Sequence, residues 1–258
     1  MASLVVVGDD GSPGADTAWG WINNQTWPGW SAEVVTGSLP EEQPPAPDET
    51  HELTAWESPH PRAARPEAEL DSVSHLMAPT DPRIILGVRS DADLIVVGSR
   101  GLNVVHAVLV GSTVEWLMHH PPAPLAIIRT SDPVSRVLVC IDGSAHAQRA
   151  VEAFASLPWS GQTEARVLGV YDGWAEVEQG MSAAAATLED ADIPTKSQEI
   201  RGRPSPTILG QIEELRPDLV VLGTRGLTGL RRLLLGSTAS AVVRSAPTSC
   251  LVACRDEQ

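Results

Sequence analysis

Two stretches of this chain, residues 93–113 and 218–238, carry the same frame 125 residues apart, and that internal repeat limits the fold more than any other feature. The first reads D-L-I-V-V-G-S-R-G-L-N-V-V-H-A-V-L-V-G-S-T and the second D-L-V-V-L-G-T-R-G-L-T-G-L-R-R-L-L-L-G-S-T. In both, an acidic residue opens a run of four apolar residues, followed by Gly, two residues, Gly, nine residues, Gly, Ser and Thr. An apolar run without alternation suits a strand buried on both faces of a parallel sheet. Glycines at its end permit positive φ and let a ligand approach the backbone. The third glycine precedes Ser-Thr and a helical pattern, where free N–H groups can hold an anion. The candidate phosphate-binding residues are therefore Gly98, Gly101, Gly111, Ser112 and Thr113 in the first copy. In the second they are Gly223, Arg225, Gly226, Gly236, Ser237 and Thr238.

Each half also opens alike, V-V-V-G-D-D-G-S at 5–12 and L-V-C-I-D-G-S at 138–144. G-x2-G-x9-G-[ST] is the nucleotide-binding signature of the universal stress proteins. With these openings the chain resembles a tandem universal stress protein over nearly its whole length, residues 39–70 being the main stretch that matches nothing. The resemblance implies ATP, ADP or AMP as ligand, with Mg2+ as an accompanying ion. It further implies that Asp10 and Asp142 bond the ribose or adenine, and that Val35 and Val167, each 25 residues beyond its aspartate, meet adenine. On the residues alone, each aspartate could equally cap the following helix, and each valine could be plain strand core.

The order of apolar and helical segments makes each half β-α-β-α-β-α-β-α-β, an α/β class. The expected architecture is two doubly wound five-stranded parallel sheets of strand order 3-2-1-4-5, in domains 1–131 and 132–258, with the ligand at the switch point between strands 1 and 4. Residues 39–66 are rich in proline and acid and read as a surface loop, whereas residues 174–188 in the second half suit a helix. The fifth strands, expected at 125–128 and 250–253, are apolar edges that aggregate unless covered. The family covers such edges by pairing them in dimers, so the two halves are expected to pack on each other there. A homodimer is a further expected assembly.

The net charge of −15 argues against a nucleic-acid partner, which needs a basic face. Residues 1–131 carry −11 of it and residues 132–258 carry −4, which makes the second half the better host for an anion. The second half also has Arg231 and Arg232 where the first has His106 and Ala107, and at the same offset Gly202 where the first has Met77, so the second site is expected to be the tighter. Cys140, Cys250 and Cys254 suit neither a disulfide framework nor a zinc site and read as small buried hydrophobes. The spacing of His51, His60 and His75 fits no common metal pattern. Five of the eight tryptophans fall in the first 56 residues and read as lids or helix–sheet packing. No apolar run reaches membrane-spanning length and the first residues lack a basic start, so a cytoplasmic protein without a membrane partner is expected.

The leading functional expectation is an adenine-nucleotide-binding stress-response regulator that acts through conformation or partner binding. A slow ATP-hydrolysing or phosphate-transfer enzyme is the alternative on the same fold. Against it, Gly-Ser-Thr stands where a Walker motif has Gly-Lys-Ser/Thr, and no second carboxylate is placed to hold magnesium. No G-x-S-x-G elbow supports an esterase. A non-nucleotide interaction module is the third reading, and the two intact copies count against it.

Overall fold

The structure, a computed structural model, describes residues 3–37, 69–99, 110–171, 176–224 and 236–253. Ten strands, β1 (Ser3–Gly8), β2 (Trp30–Gly37), β3 (Ser72–Ala78), β4 (Leu94–Gly98), β5 (Leu125–Ile128), β6 (Arg136–Ile141), β7 (Glu164–Tyr171), β8 (Thr195–Arg201), β9 (Leu219–Gly223) and β10 (Ser249–Ala253), form one sheet. Its order is β3-β2-β1-β4-β5-β10-β9-β6-β7-β8. Each half thus has the expected order 3-2-1-4-5 with parallel pairing throughout. The fifth strands meet as expected: β5 and β10 pair antiparallel, Cys250 opposite Ile127 and Val252 opposite Leu125, and join the two five-stranded sheets into one. Both edges are thereby covered within the chain.

The helices are α1 (Pro13–Asn23), α2 (Pro82–Gly87), α3 (Ser112–His119), α4 (Ala145–Ala155), α5 (Glu176–Asp190), α6 (Pro204–Leu215) and α7 (Ser237–Ser245). Helices α1, α4 and α5 cover one face and α2, α3, α6 and α7 the other, so the central strands are buried on both sides. This is why residues 94–97 and 219–222 are apolar at every position, with Ile95, Val96, Val220 and Val221 fully buried. The acid that opens each repeat has a structural task. Asp93 Oδ2 accepts from the Leu4 amide at 2.9 Å, and Asp218 Oδ2 accepts from the amides of Ser135 and Arg136 at 3.1 and 2.8 Å. Each carboxylate ties the start of one central strand to its neighbour.

The tryptophans explain how the halves adhere. Trp21 and Trp27 of the first half meet Trp159 of the second edge-to-face, with ring centroids 5.5 and 6.2 Å apart, and Phe154 stands 6.1 Å from Trp159. All four rings are buried. Such pairs add about 0.5–1.5 kcal/mol each beyond the area they bury. The expectation of packing rather than binding is therefore met for Trp19, Trp21, Trp27 and Trp30, while Trp56 lies outside the described residues. On the opposite face Arg244 of α7 pairs with Glu115 of α3, and Arg129 donates to the Val243 carbonyl.

Cys140 and Cys250 are free and buried, and burial pushes the Cys250 thiol up to about 12 and that of Cys140 higher still, so neither is a thiolate nucleophile at neutral pH. Cys254, His51 and His60 lie outside the described residues. Among the described residues no helix is long and apolar enough to cross a membrane.

Produced alone, residues 132–258 would present β10 as an unpaired apolar edge and Trp159 without Trp21 and Trp27. We expect them to self-associate, measured by light scattering at micromolar concentration; a stable monomer would contradict the role given to the β5–β10 seam.

Candidate functional site

The carboxyl ends of β6 and β9 lie side by side, and there the second half opens a pocket. Asp142, Gly223, Gly236, Ser237 and Thr238 all line it, together with Cys140, Leu168, Pro204 and Ile208. Its space of about 130 Å³ is close to that of a cavity that takes one aromatic ring, and it opens to the surface.

The Asp-Gly-Ser turn forms one wall. Gly143 is left-handed, with φ 84°, as is Gly11 in the first half with φ 74°. Ser144 is the N-cap of α4, its Oγ accepting from the Ala147 amide at 3.2 Å, and Asp142 Oδ1 accepts from the Ser144 amide at 3.0 Å. The first half repeats this with Ser12, Ala15 and Asp10. The helix-capping alternative for Asp10 and Asp142 is thereby assigned to the serines instead. Each aspartate uses one oxygen to hold its turn, and in the second half the carboxylate borders the pocket.

The third glycine forms the opposite wall. Gly236 is the N-cap of α7 and has no side chain to satisfy the first turn, so no side-chain cap bond is made there, and Gly111 stands likewise before α3. The amides at the start of α7 are thus offered to the pocket from the positive end of the helix dipole. Gly236 N donates to Thr224 O at 2.7 Å and Gly111 N to Ser99 O at 3.0 Å, so the residue after the first glycine fixes where each helix begins.

The first glycine of the motif proves to be a packing residue. A Cβ on Gly98 would lie 2.3 Å from the Gly14 carbonyl, and one on Gly223 would lie 2.5 Å from Ala147 N. Neither glycine has positive φ. Both let the first turn of the preceding capped helix press on the strand end, which sets the distance between the two walls.

One expectation about adenine contact is corrected. Gly8, two residues before Asp10, is opposite Val35, but Cys140, two residues before Asp142, is opposite Leu168. The connection from β6 to β7 is one residue longer, and a slip of one residue turns a side chain to the other face. Val167 therefore packs with α4 and α5, while Leu168 borders the pocket. Val35 is buried on the face that carries α2 and α3. The alignment of Met77 with Gly202 fails for the same kind of reason. Gly37 is opposite Ala78 and Val170 opposite Ile200, and Pro82 and Pro204 both start helices, so Thr80 corresponds to Gly202 and Met77 to Glu199. Gly101, Arg225, Gly226, Arg231 and Arg232 lie outside the described residues.

Magnesium finds little in this lining. Asp142 is the one carboxylate among the described pocket residues, and no group of three or more His, Cys, Asp or Glu there could hold a metal.

A doubly wound α/β repeat with a glycine-bounded pocket at its switch point defines a class of small-ligand binder. The Universal stress protein family profile matches residues 1–129 and again 133–253, and the chain belongs to that family. It is similar to a universal stress protein of Mycolicibacterium smegmatis, 28% identical over 193 residues that span 66% of this chain and 64% of the relative. A universal stress protein of Mycobacterium tuberculosis is 26% identical over 209 residues, 72% of this chain and 70% of its own. The fold matches a universal stress protein of Archaeoglobus fulgidus with a TM-score of 0.74 at 20% identity, over 99% of this chain and 100% of that one.

Replacing Gly223 with Ala should destabilise the protein by about 1–3 kcal/mol through overpacking against the Ala147 backbone, measured by chemical denaturation. Unchanged stability would return the glycine to a ligand-approach role.

Proposed function

We propose that this chain is an adenine-nucleotide-binding regulator of the stress response, built of two domains at 1–131 and 132–258, whose output is a conformation or a partner surface that depends on nucleotide. The observation that carries this reading is the convergence in the second half of the Asp142 carboxylate with the uncapped first turn of α7 across one pocket. A carboxylate suits the hydroxyls of a ribose as acceptor, and backbone amides at a helix start suit a phosphate. The apolar floor of Leu168, Ile208 and Cys140 between them suits a flat base. Membership of the family supports adenine as that base. Asp10, Ser112 and Thr113 stand in the corresponding places of the first half.

Catalysis has less support. Asp142 is held by the Ser144 amide, and the Gly236-Ser237-Thr238 start of α7 has no lysine to bridge phosphates. A general base placed on an attacking water is not found among the described pocket residues.

Calorimetry with ATP, ADP and AMP should show binding at micromolar or tighter affinity, and Asp142→Ala should weaken it roughly tenfold or more, the loss of one charged hydrogen bond. Absence of heat with all three nucleotides would overturn the reading. ATP turnover by the purified protein should stay below about one per second, the low end of ordinary enzyme rates; faster steady-state phosphate release would make it an enzyme.

A further inference from the structure

The two halves share a frame but differ at four matched places around the site, and all four differences act in one direction. The first is the floor. Where the second half has Cys140 the first has Gly8, and Leu86 of α2 fills the space, its Cδ1 standing 3.1 Å from the position of a Gly8 Cβ. Leu86 corresponds to Ile208, which lines the pocket of the second half, and both side chains are buried.

The second difference sets the height of the roof. Val170 of β7 corresponds to Gly37 of β2. A Cβ on Gly37 would lie 2.7 Å from the Thr80 carbonyl oxygen and 2.9 Å from Pro82 Cα. The turn before α2 has thus settled directly onto the strand. In the second half a valine side chain stands at that position, and both Val170 and Pro204 line the pocket.

The remaining differences are of charge. Arg203 is the N-cap of α6 and exposed, whereas the matched N-cap of α2 is Asp81. Asp81 is bonded by Arg83 Nε at 2.9 Å, and that hydrogen bond holds its carboxyl below the usual range. Ile141, which borders the pocket, corresponds to Asp9, whose Oδ1 accepts from the Gly11 amide at 2.8 Å. The first half therefore places Asp9, Asp10 and Asp81 where the second has Ile141, Asp142 and Arg203. Three carboxylates, one of them paired with Arg83, stand against one carboxylate and one guanidinium, and that balance makes the second site the better host for a phosphate chain.

We propose that the chain binds one nucleotide, in its second half, with Arg203 at the mouth of the pocket selecting a phosphate chain, and that the first half is a filled, acidic copy of the site that serves as scaffold. This rests on the nucleotide reading above. The starts of α6 and α7 both border this pocket, through Pro204 and through Gly236, Ser237 and Thr238, and Arg203 directly precedes Pro204 as an exposed side chain. Arg203 is a specificity-determining residue for a nucleoside di- or triphosphate over the nucleoside alone.

Native mass spectrometry of the full-length protein titrated with ATP counts the sites, and calorimetry on two variants locates them. One ATP per chain is expected, with Gly236→Val abolishing the event and Arg203→Gln weakening ATP roughly tenfold while changing adenosine affinity less than twofold. Thermal unfolding of each variant checks that it is folded, and the count on the unaltered protein does not depend on either. Two ATP per chain, or one ATP retained by folded Gly236→Val, would overturn the one-site inference and leave the nucleotide reading standing. Equal losses of ATP and adenosine in Arg203→Gln, or no loss of ATP, would overturn the role of Arg203. No binding of any adenine nucleotide would remove both the reading and the inference.

Discussion

The antiparallel pairing of β5 with β10 is the contact on which the rest of this molecule depends. Each half is a parallel sheet that ends in a short, apolar strand, and such an edge has unpaired backbone groups and bare side chains that must be covered. Here the cover comes from within the chain, Leu251 opposite Ala126 and Cys250 opposite Ile127. Pairing the edges forces the helices of both halves onto common faces. That is why one core layer runs from Trp27 through Trp21 to Trp159 without a break at the repeat boundary. The seam makes one ten-stranded body, and no further room exists at that edge for a second chain.

Much of this was legible in the sequence because the determining patterns are local. Four apolar residues after an acid, repeated at a fixed interval, can only be central strands. The strand order within each half followed from right-handed crossovers and from the placement of the motif opposite the Asp-Gly-Ser turn. The pairing of fifth strands was legible from their apolar character. What could not be read was register. Val167 and Leu168 are adjacent hydrophobes in a buried strand, and nothing in their chemistry says which one faces which core layer. The answer depends on a connection one residue longer that ends in the short turn at Ser160–Gln162. Met77 and Gly202 failed as a pair for the same kind of reason, since the stretch from Pro82 to Leu94 is shorter than the matching stretch from Pro204 to Leu219.

The site was legible by residue type more than by role. Asp142, Gly236, Ser237 and Thr238 do converge, yet Gly98 and Gly223 are present because a helix start presses on them. A signal existed for that. A helix capped by the serine of the Asp-Gly-Ser turn must begin immediately beside the first strand, and in a doubly wound sheet the neighbouring strand is the one that ends in the motif's first glycine. Pro204, Ile208 and Leu168 were missed as pocket residues because apolar side chains in amphipathic elements give no sign of lining a cavity rather than filling a core. Their first-half counterparts include Leu86, which does fill the core, and the difference turns on whether Gly37 or Val170 stands beneath the turn.

The contrast between the halves also explains why a closed copy of the site would be kept. Helix α7 begins at the pocket with Gly236 and Ser237 and ends against the first half, where Arg244 pairs with Glu115 and the Val243 carbonyl receives Arg129. Glu115 belongs to the first turn of α3, the helix that starts at Gly111 in the first half. The matched positions for the reverse link are His119 and Ser240, which cannot form an ion pair, so the charged tie runs from the second site to the first half alone. Arg244 and Glu115 are each nearly half exposed, so that pair by itself adds little stability. Its effect is geometric, together with the buried faces of Val242 and Val243. A ligand at the head of α7 meets a helix whose tail is fixed to a rigid, filled body, and that arrangement holds the uncapped amides at one position relative to Asp142.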